Sequence, residues 1–223
     1  MPSSTVENYL KHICLQEQQQ EENGLVPMGQ LAAILGVAPG TATSMIKTLA
    51  ESGLAEYEPR GGVRLTSNGQ RLALNVLRRH RLVELFLVQV LGLDWSEVHE
   101  EAEELEHAVS NKVLERIDAL LNHPSVDPHG DPIPSAKGTL SATRLVSLAD
   151  CPLDRPVRIA RVMDQEPRFL QFVDRSGLTP GTHVRVKNRS SNADAITIQP
   201  DAHQPITIGN GAAQKILVEI SSS

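Results

Sequence analysis

The feature that most constrains this chain is a change of hydrophobic period across a proline-rich stretch. Up to Asn122 the apolar residues recur every three to four positions, and from Pro156 onward they recur every two. Between 122 and 138 stand Pro124, Pro128, Pro132 and Pro134 with Gly130 and Gly138, which interrupt both patterns. A chain of 223 residues built this way is predicted to fold as a helical N-terminal part, a linker and a separate small β domain.

The helical part opens with a predicted helix over 5–20, capped by Ser3, Ser4 or Thr5, with Val6, Tyr9, Leu10, Ile13 and Cys14 on one face. Two short helices follow, 28–35 and 41–52, joined by the turn Val37-Ala38-Pro39-Gly40. Residues 53–58 and 63–66 read as strands around the turn Pro59-Arg60-Gly61-Gly62. Three helices and a two-stranded ribbon make a winged helix-turn-helix. The exposed face of the third helix would offer Thr41, Thr43, Ser44 and Lys47, with Ala38 in the turn leading into it and Arg60 and Arg64 on the wing. Hydroxyls suit phosphate oxygens and some base edges, and Lys and Arg neutralise phosphate. A helical hairpin used for protein contacts would show the same pattern. The net charge of -6 argues against wholesale polybasic binding, though not against a local basic surface.

Two longer apolar-faced segments come next, 67–91 and 95–121, each predicted as one uninterrupted helix. The first carries His80 and Glu84, four apart on one face. In the second, His99, Glu103, Glu106 and His107 fall on one stripe. Clustered carboxylates repel unless a cation sits among them, and imidazole nitrogen with carboxylate oxygen suits a first-row divalent ion. The bland alternatives are a solvated Glu-rich face and an ordinary helix salt bridge. The broad apolar faces of these segments predict a dimerisation module.

Beyond the linker, alternation over 157–162, 182–187, 195–198 and 216–220, with a short helical turn at 166–173, predicts a small β-barrel. Aromatics are only 3%, so the cores must be aliphatic. No apolar run is long enough to span a bilayer, and no signal pattern opens the chain. Cys14 and Cys151 are unpatterned. A reduced, cytoplasmic protein with no membrane partner is the expectation.

Glu7-Asn8-Tyr9-Leu10, Arg79-His80-Arg81-Leu82-Val83-Glu84, Val98-His99-Glu100-Glu101-Ala102, Glu106-His107 and His129-Gly130-Asp131-Pro132-Ile133-Pro134 occur here in order. Through these motifs the chain resembles the diphtheria toxin repressor family of metal-dependent regulators along nearly its whole length. The resemblance implies a mainly α fold with a small all-β domain. A winged helix-turn-helix (1–71) would precede a helical metal-binding and dimerisation domain (72–140) and an SH3-like domain (150–223). It also implies two metal sites. Asn8, Glu103, Glu106 and His107 would form the primary one. His80, Glu84 and His99 would form the ancillary one, completed by Gln165 and Glu166 of the SH3-like domain. Lys11 stands where members with a closely spaced metal pair carry a carboxylate, which favours two separated sites. The expected function is a homodimeric repressor, activated by Mn(II) or Fe(II), that binds a palindromic operator in double-stranded DNA and controls metal-uptake genes. The rival expectation is a metallohydrolase using the His/Glu stripe.

Overall fold

The computed structural model describes residues 3–18, 24–140, 143–201 and 203–220. The chain forms two compact units. One takes Met1–His80, Glu106–Val109 and Pro134–Leu140; the other takes Arg81–Leu105, Ser110–Ile133 and Ser141–Ser223.

In the first unit, helix α1 (Ser4–Glu17) starts where the Ser3 hydroxyl accepts the Val6 N–H. Helices α2 (Met28–Ile34) and α3 (Pro39–Glu51) are joined by a turn in which Gly36 takes a φ of 63°. Pro39 opens α3, where its missing N–H costs nothing. The wing is an antiparallel pair, β1 (Ala55–Glu58) and β2 (Gly62–Leu65), in the register Ala55↔Leu65 to Glu58↔Gly62. Val26 bonds to Val63 through both backbone groups and so adds a bridge to the wing. Leu10, Ile13, Leu31, Ile46, Leu49 and Val63 close one aliphatic core beneath these elements. This is the expected winged helix-turn-helix. Residues 19–23, which include the predicted end of the first helix, lie outside the described residues.

Helix α4 (Ser67–Gln89) begins in the first unit and ends in the second. The single helix expected over 95–121 is two: α5 (Val98–Leu105) and α6 (Asn111–Leu120). Ser110 caps α6 by accepting the Val113 N–H. The residues between them, Glu106–Val109, belong to the first unit, where ion pairs hold Glu106 and His107. Those pairs override a local preference that by itself would continue the helix.

The second unit also holds a six-stranded antiparallel sheet in the order β3-β8-β4-β5-β6-β7. Its strands are β3 (Val146–Ser147), β4 (Pro156–Val162), β5 (His183–Ser190), β6 (Ala195–Pro200), β7 (Ile206–Gly209) and β8 (Ile216–Ile220). Helix α7 (Pro167–Arg175) and the single turn α8 (Asn210–Gln214) complete this SH3-like domain. Inward residues alternate as expected, with Val157, Ile159, Val184, Val186, Ile196, Ile198, Ile216 and Val218 in its core. Strands β3 and β7 and the turn α8 are additions to the sequence expectation: β3 and β7 are short, and Asn210 and Gly211 read as a plain turn.

The proline-rich stretch is a linker by composition only. Asp127, His129, Asp131 and Ile133 are buried, and Val126 bridges to Pro132. A β-bulge shifts the β4–β8 register at Ala160, and there Gly130, at φ 87°, meets the strand. A Cβ on Gly130 would lie 1.9 Å from the Ala160 carbonyl oxygen. The His129 carbonyl accepts the Val162 N–H, and Asp131 is held by Gln165 and Arg161.

Candidate metal centre and nucleic-acid interface

Within the first unit, the segment between α5 and α6 brings Glu106 and His107 against α1. Adjacent residues of α1 reach opposite edges of the His107 ring. Glu7 Oε2 stands 2.7 Å from Nδ1, and Asn8 Oδ1 stands 2.9 Å from Nε2. Glu106 Oε1 also faces Nε2, at 3.4 Å. With Nδ1–H donating to the Glu7 carboxylate, Nε2 carries a lone pair. One nitrogen and two oxygen lone pairs then converge, an arrangement that a cation satisfies. The donor set fits the implied metal, since imidazole and hard oxygen ligands with no sulfur suit manganese(II) and iron(II).

Glu106 is fully buried and needs compensation of its own. The buried Lys11 ammonium donates to its Oε1 at 2.8 Å, and His80 Nδ1 lies 2.6 Å from its Oε2. Arg79 faces Glu7 Oε1 at 3.3 Å and donates to the Glu106 carbonyl at 3.1 Å.

A second cluster lies within the second unit. Glu84 from α4 meets Asp127 and His129 from the proline-rich stretch, all three buried, with one ligand atom of each within 4.8 Å of the others. His129 Nε2 lies 2.8 Å from the Trp95 carbonyl, which can only accept, so the ring proton sits there. Nδ1 is left as a buried lone pair without a hydrogen-bond partner, 3.9 Å from Glu84 Oε2. Burial raises the Asp127 carboxyl well above its ordinary range. The neighbouring Asp131 and Glu84 charges add to this, and Arg81 opposes them. An orphaned nitrogen facing two buried carboxylates again fits a divalent ion.

On α3, Thr41, Ser44, Lys47 and Thr48 are exposed and Thr43 is half-buried, with Ala38 at the N-cap. Thr43 donates its hydroxyl proton to the Pro39 carbonyl, keeping only acceptor capacity. On the wing, Arg64 is paired across the strands with Glu56, its Nε 2.6 Å from Oε2. Arg60, at the tip, has a φ of 67° and is exposed. Among the described residues neither Lys47 nor Arg60 has an ion-pair partner.

Models of known families match almost the entire chain. "Iron dependent repressor, N-terminal DNA binding domain" matches residues 1–63, "Iron dependent repressor, metal binding and dimerisation domain" matches 66–135, and "FeoA domain" matches 146–220. The iron-dependent repressor IdeR of Mycobacterium leprae (strain TN) is 30% identical over 96% of both chains. The chain belongs to the diphtheria toxin repressor family. The diphtheria toxin repressor of Corynebacterium diphtheriae itself is 28% identical, over 84% of this chain and 86% of that one. Of solved structures, a manganese-dependent transcriptional repressor in complex with manganese matches with a TM-score of 0.84 and 40% identity, covering 96% of this chain and 98% of that one. ScaR with bound Cd2+ matches at 0.78 and 31%, covering 99% and 100%.

Against the residues that the family resemblance implies, the first unit brings together Asn8, Glu106 and His107. It also places His80, expected at the ancillary site, on Glu106. Glu103 lies on α5 in the second unit, 3.6 Å from His99 Nε2, while His99 Nδ1 lies 3.1 Å from Glu84. Gln165 and Glu166 have other work in the structure. Gln165 donates its amide to Asp131 Oδ2 at 2.7 Å. Glu166 is exposed and caps α7 by accepting the Phe169 N–H. Asp127 and His129 enter instead, unforeseen because proline density masked a stretch that packs. His129-Gly130-Asp131 within that stretch was the available signal: two titratable residues around a glycine with positive φ.

Proposed function

We propose that this family member is a metal-activated transcriptional repressor whose corepressor is Mn(II) or Fe(II). It acts as a homodimer on a palindromic operator and controls metal-uptake genes. The observation that carries this reading is the His107 ring, whose Nε2 faces Asn8 Oδ1 and Glu106 Oε1. Asn8 sits on the first helix of the winged unit, and His107 sits in the break between the helices of the dimerisation segment. A divalent ion held there would supply the positive charge that these three donors share, and would tie the two stretches of chain together. Only fixed wings fit two successive major grooves, about 34–36 Å apart, so metal and DNA binding are linked.

Asn8, Glu106 and His107 are our primary ligands, and Glu103 joins them on the resemblance. Glu84, Asp127 and His129 form our ancillary site, with His99 beside Glu84. Ala38, Thr41, Thr43, Ser44 and Lys47 face the operator, with Arg60 on the backbone. Arg64 contributes less, because Glu56 already neutralises it. The hydrolase alternative gains no support from relatives that are repressors.

Operator affinity measured against free manganese(II), iron(II) and zinc(II) tests this. Manganese and iron should activate binding, with zinc activating less. His107→Ala should abolish the response while the circular dichroism spectrum stays unchanged. Normal metal dependence in that variant would sink the primary-site assignment.

A further inference from the structure

We propose that Glu7 is a positioning residue for the primary site, one that sets which nitrogen of His107 meets the metal. This rests on the reading of His107 as a primary ligand. Asn8 is the ligand implied on α1. Glu7, the residue before it, has no assigned role, yet it is buried in the first turn of the helix, where a carboxylate without partners would be costly.

Its partners are specific. Glu7 Oε2 accepts from His107 Nδ1 at 2.7 Å. The Arg79 guanidinium reaches both carboxylate oxygens, Oε1 at 3.3 Å and Oε2 at 3.4 Å. The same guanidinium donates to the backbone carbonyl of Glu106, the residue preceding His107. Arg79 thus braces the carboxylate and the backbone that carries the imidazole, and Glu7 closes the ring of contacts. Consecutive helical residues point about 100° apart, which lets Glu7 and Asn8 grip the two edges of one imidazole. Because Nδ1–H is committed to a carboxylate, the lone pair is confined to Nε2, on the edge that Asn8 and Glu106 face. A carboxylate behind the imidazole also raises its basicity as a ligand. Arg79 balances the Glu7 charge, so this support adds no net charge to the site.

The test is manganese(II) binding by the full chain, followed by the electron paramagnetic resonance of the free ion, in wild type, Glu7→Gln, Glu7→Leu and His107→Ala. The ion lost in His107→Ala defines the primary site. Glu7→Leu should weaken that site by about 10–100-fold, and Glu7→Gln, which keeps a carbonyl acceptor, should weaken it less. In protein labelled with nitrogen-15 and loaded with cadmium-113, wild type should show coupling to His107 Nε2 alone, and Glu7→Leu should show coupling to Nδ1 as well. A purely structural role would not change which nitrogen binds. If Glu7→Leu fails to fold, the isosteric Glu7→Gln decides, with a loss of severalfold supporting the role and an unchanged affinity overturning it. Wild-type affinity and Nε2-only coupling in Glu7→Leu, with binding lost in His107→Ala, would overturn the role of Glu7 and leave the metal site standing. An unchanged His107→Ala would overturn both.

Discussion

Lys11→Met is the sharpest perturbation the first unit offers. The Lys11 ammonium lies 2.8 Å from Glu106 Oε1, and the two side chains are 2% and 0% exposed. Methionine keeps most of the aliphatic stem, so the packing loss is small and the electrostatic loss dominates. Removing one partner of a buried pair typically costs about 3–5 kcal/mol, because the other charge is left without compensation. Here His80 still faces the second carboxylate oxygen at 2.6 Å, which places the expected cost near the lower end, about 3 kcal/mol. A divalent ion bound through Glu106 would restore much of the missing charge. Urea denaturation of the metal-free chain should therefore show a stability loss of about 3 kcal/mol, and saturating manganese(II) should shrink it. A metal-free loss below about 1 kcal/mol, or an equal loss with and without manganese, would refute the idea that Lys11 acts as a fixed counter-ion to Glu106.

Two further outcomes are expected. The double variant Lys47→Ala/Arg60→Ala should weaken operator binding across sequences and reduce the salt slope by about 2, measured by fluorescence anisotropy at several salt concentrations; an unchanged slope would contradict docking through α3 and the wing tip. Asp127→Asn should stabilise the metal-free protein at neutral pH. The folded carboxyl of Asp127 is raised above its unfolded value, so its contribution is most favourable in acid and is lost as pH rises through the folded value. Denaturant midpoints of the two proteins should diverge between about pH 5 and pH 8, and parallel curves would show that the Asp127 charge costs nothing.

The winged helix was legible because its signals are local: Ser3 caps, Gly36 turns, and strict alternation marks the wing. The strands of the β domain were legible for the same reason. What local pattern does not carry is a tertiary override. The run from Trp95 to Leu121 has no proline or glycine, and only Ser110-Asn111 hints at a second start; the break is enforced by Lys11, His80, Asn8 and Glu7, residues distant in sequence. Likewise, no periodicity announces that Asp127 and His129 are buried. Their burial depends on Gly130 fitting against a bulge in β4, which only the folded chain defines.

The break between α5 and α6 also bears on the order in which this protein can acquire its structure. The contacts that close the primary site join residues 95 to 100 positions apart in sequence, from Lys11–Glu106 to Glu7–His107. Closing so long a loop is entropically expensive until the intervening chain has condensed, so these contacts belong among the late events of folding. On the ribosome, the winged helix can therefore form well before a complete primary site exists. Metal enters a largely finished structure and cannot template it. Added manganese should accordingly slow unfolding far more than it speeds refolding.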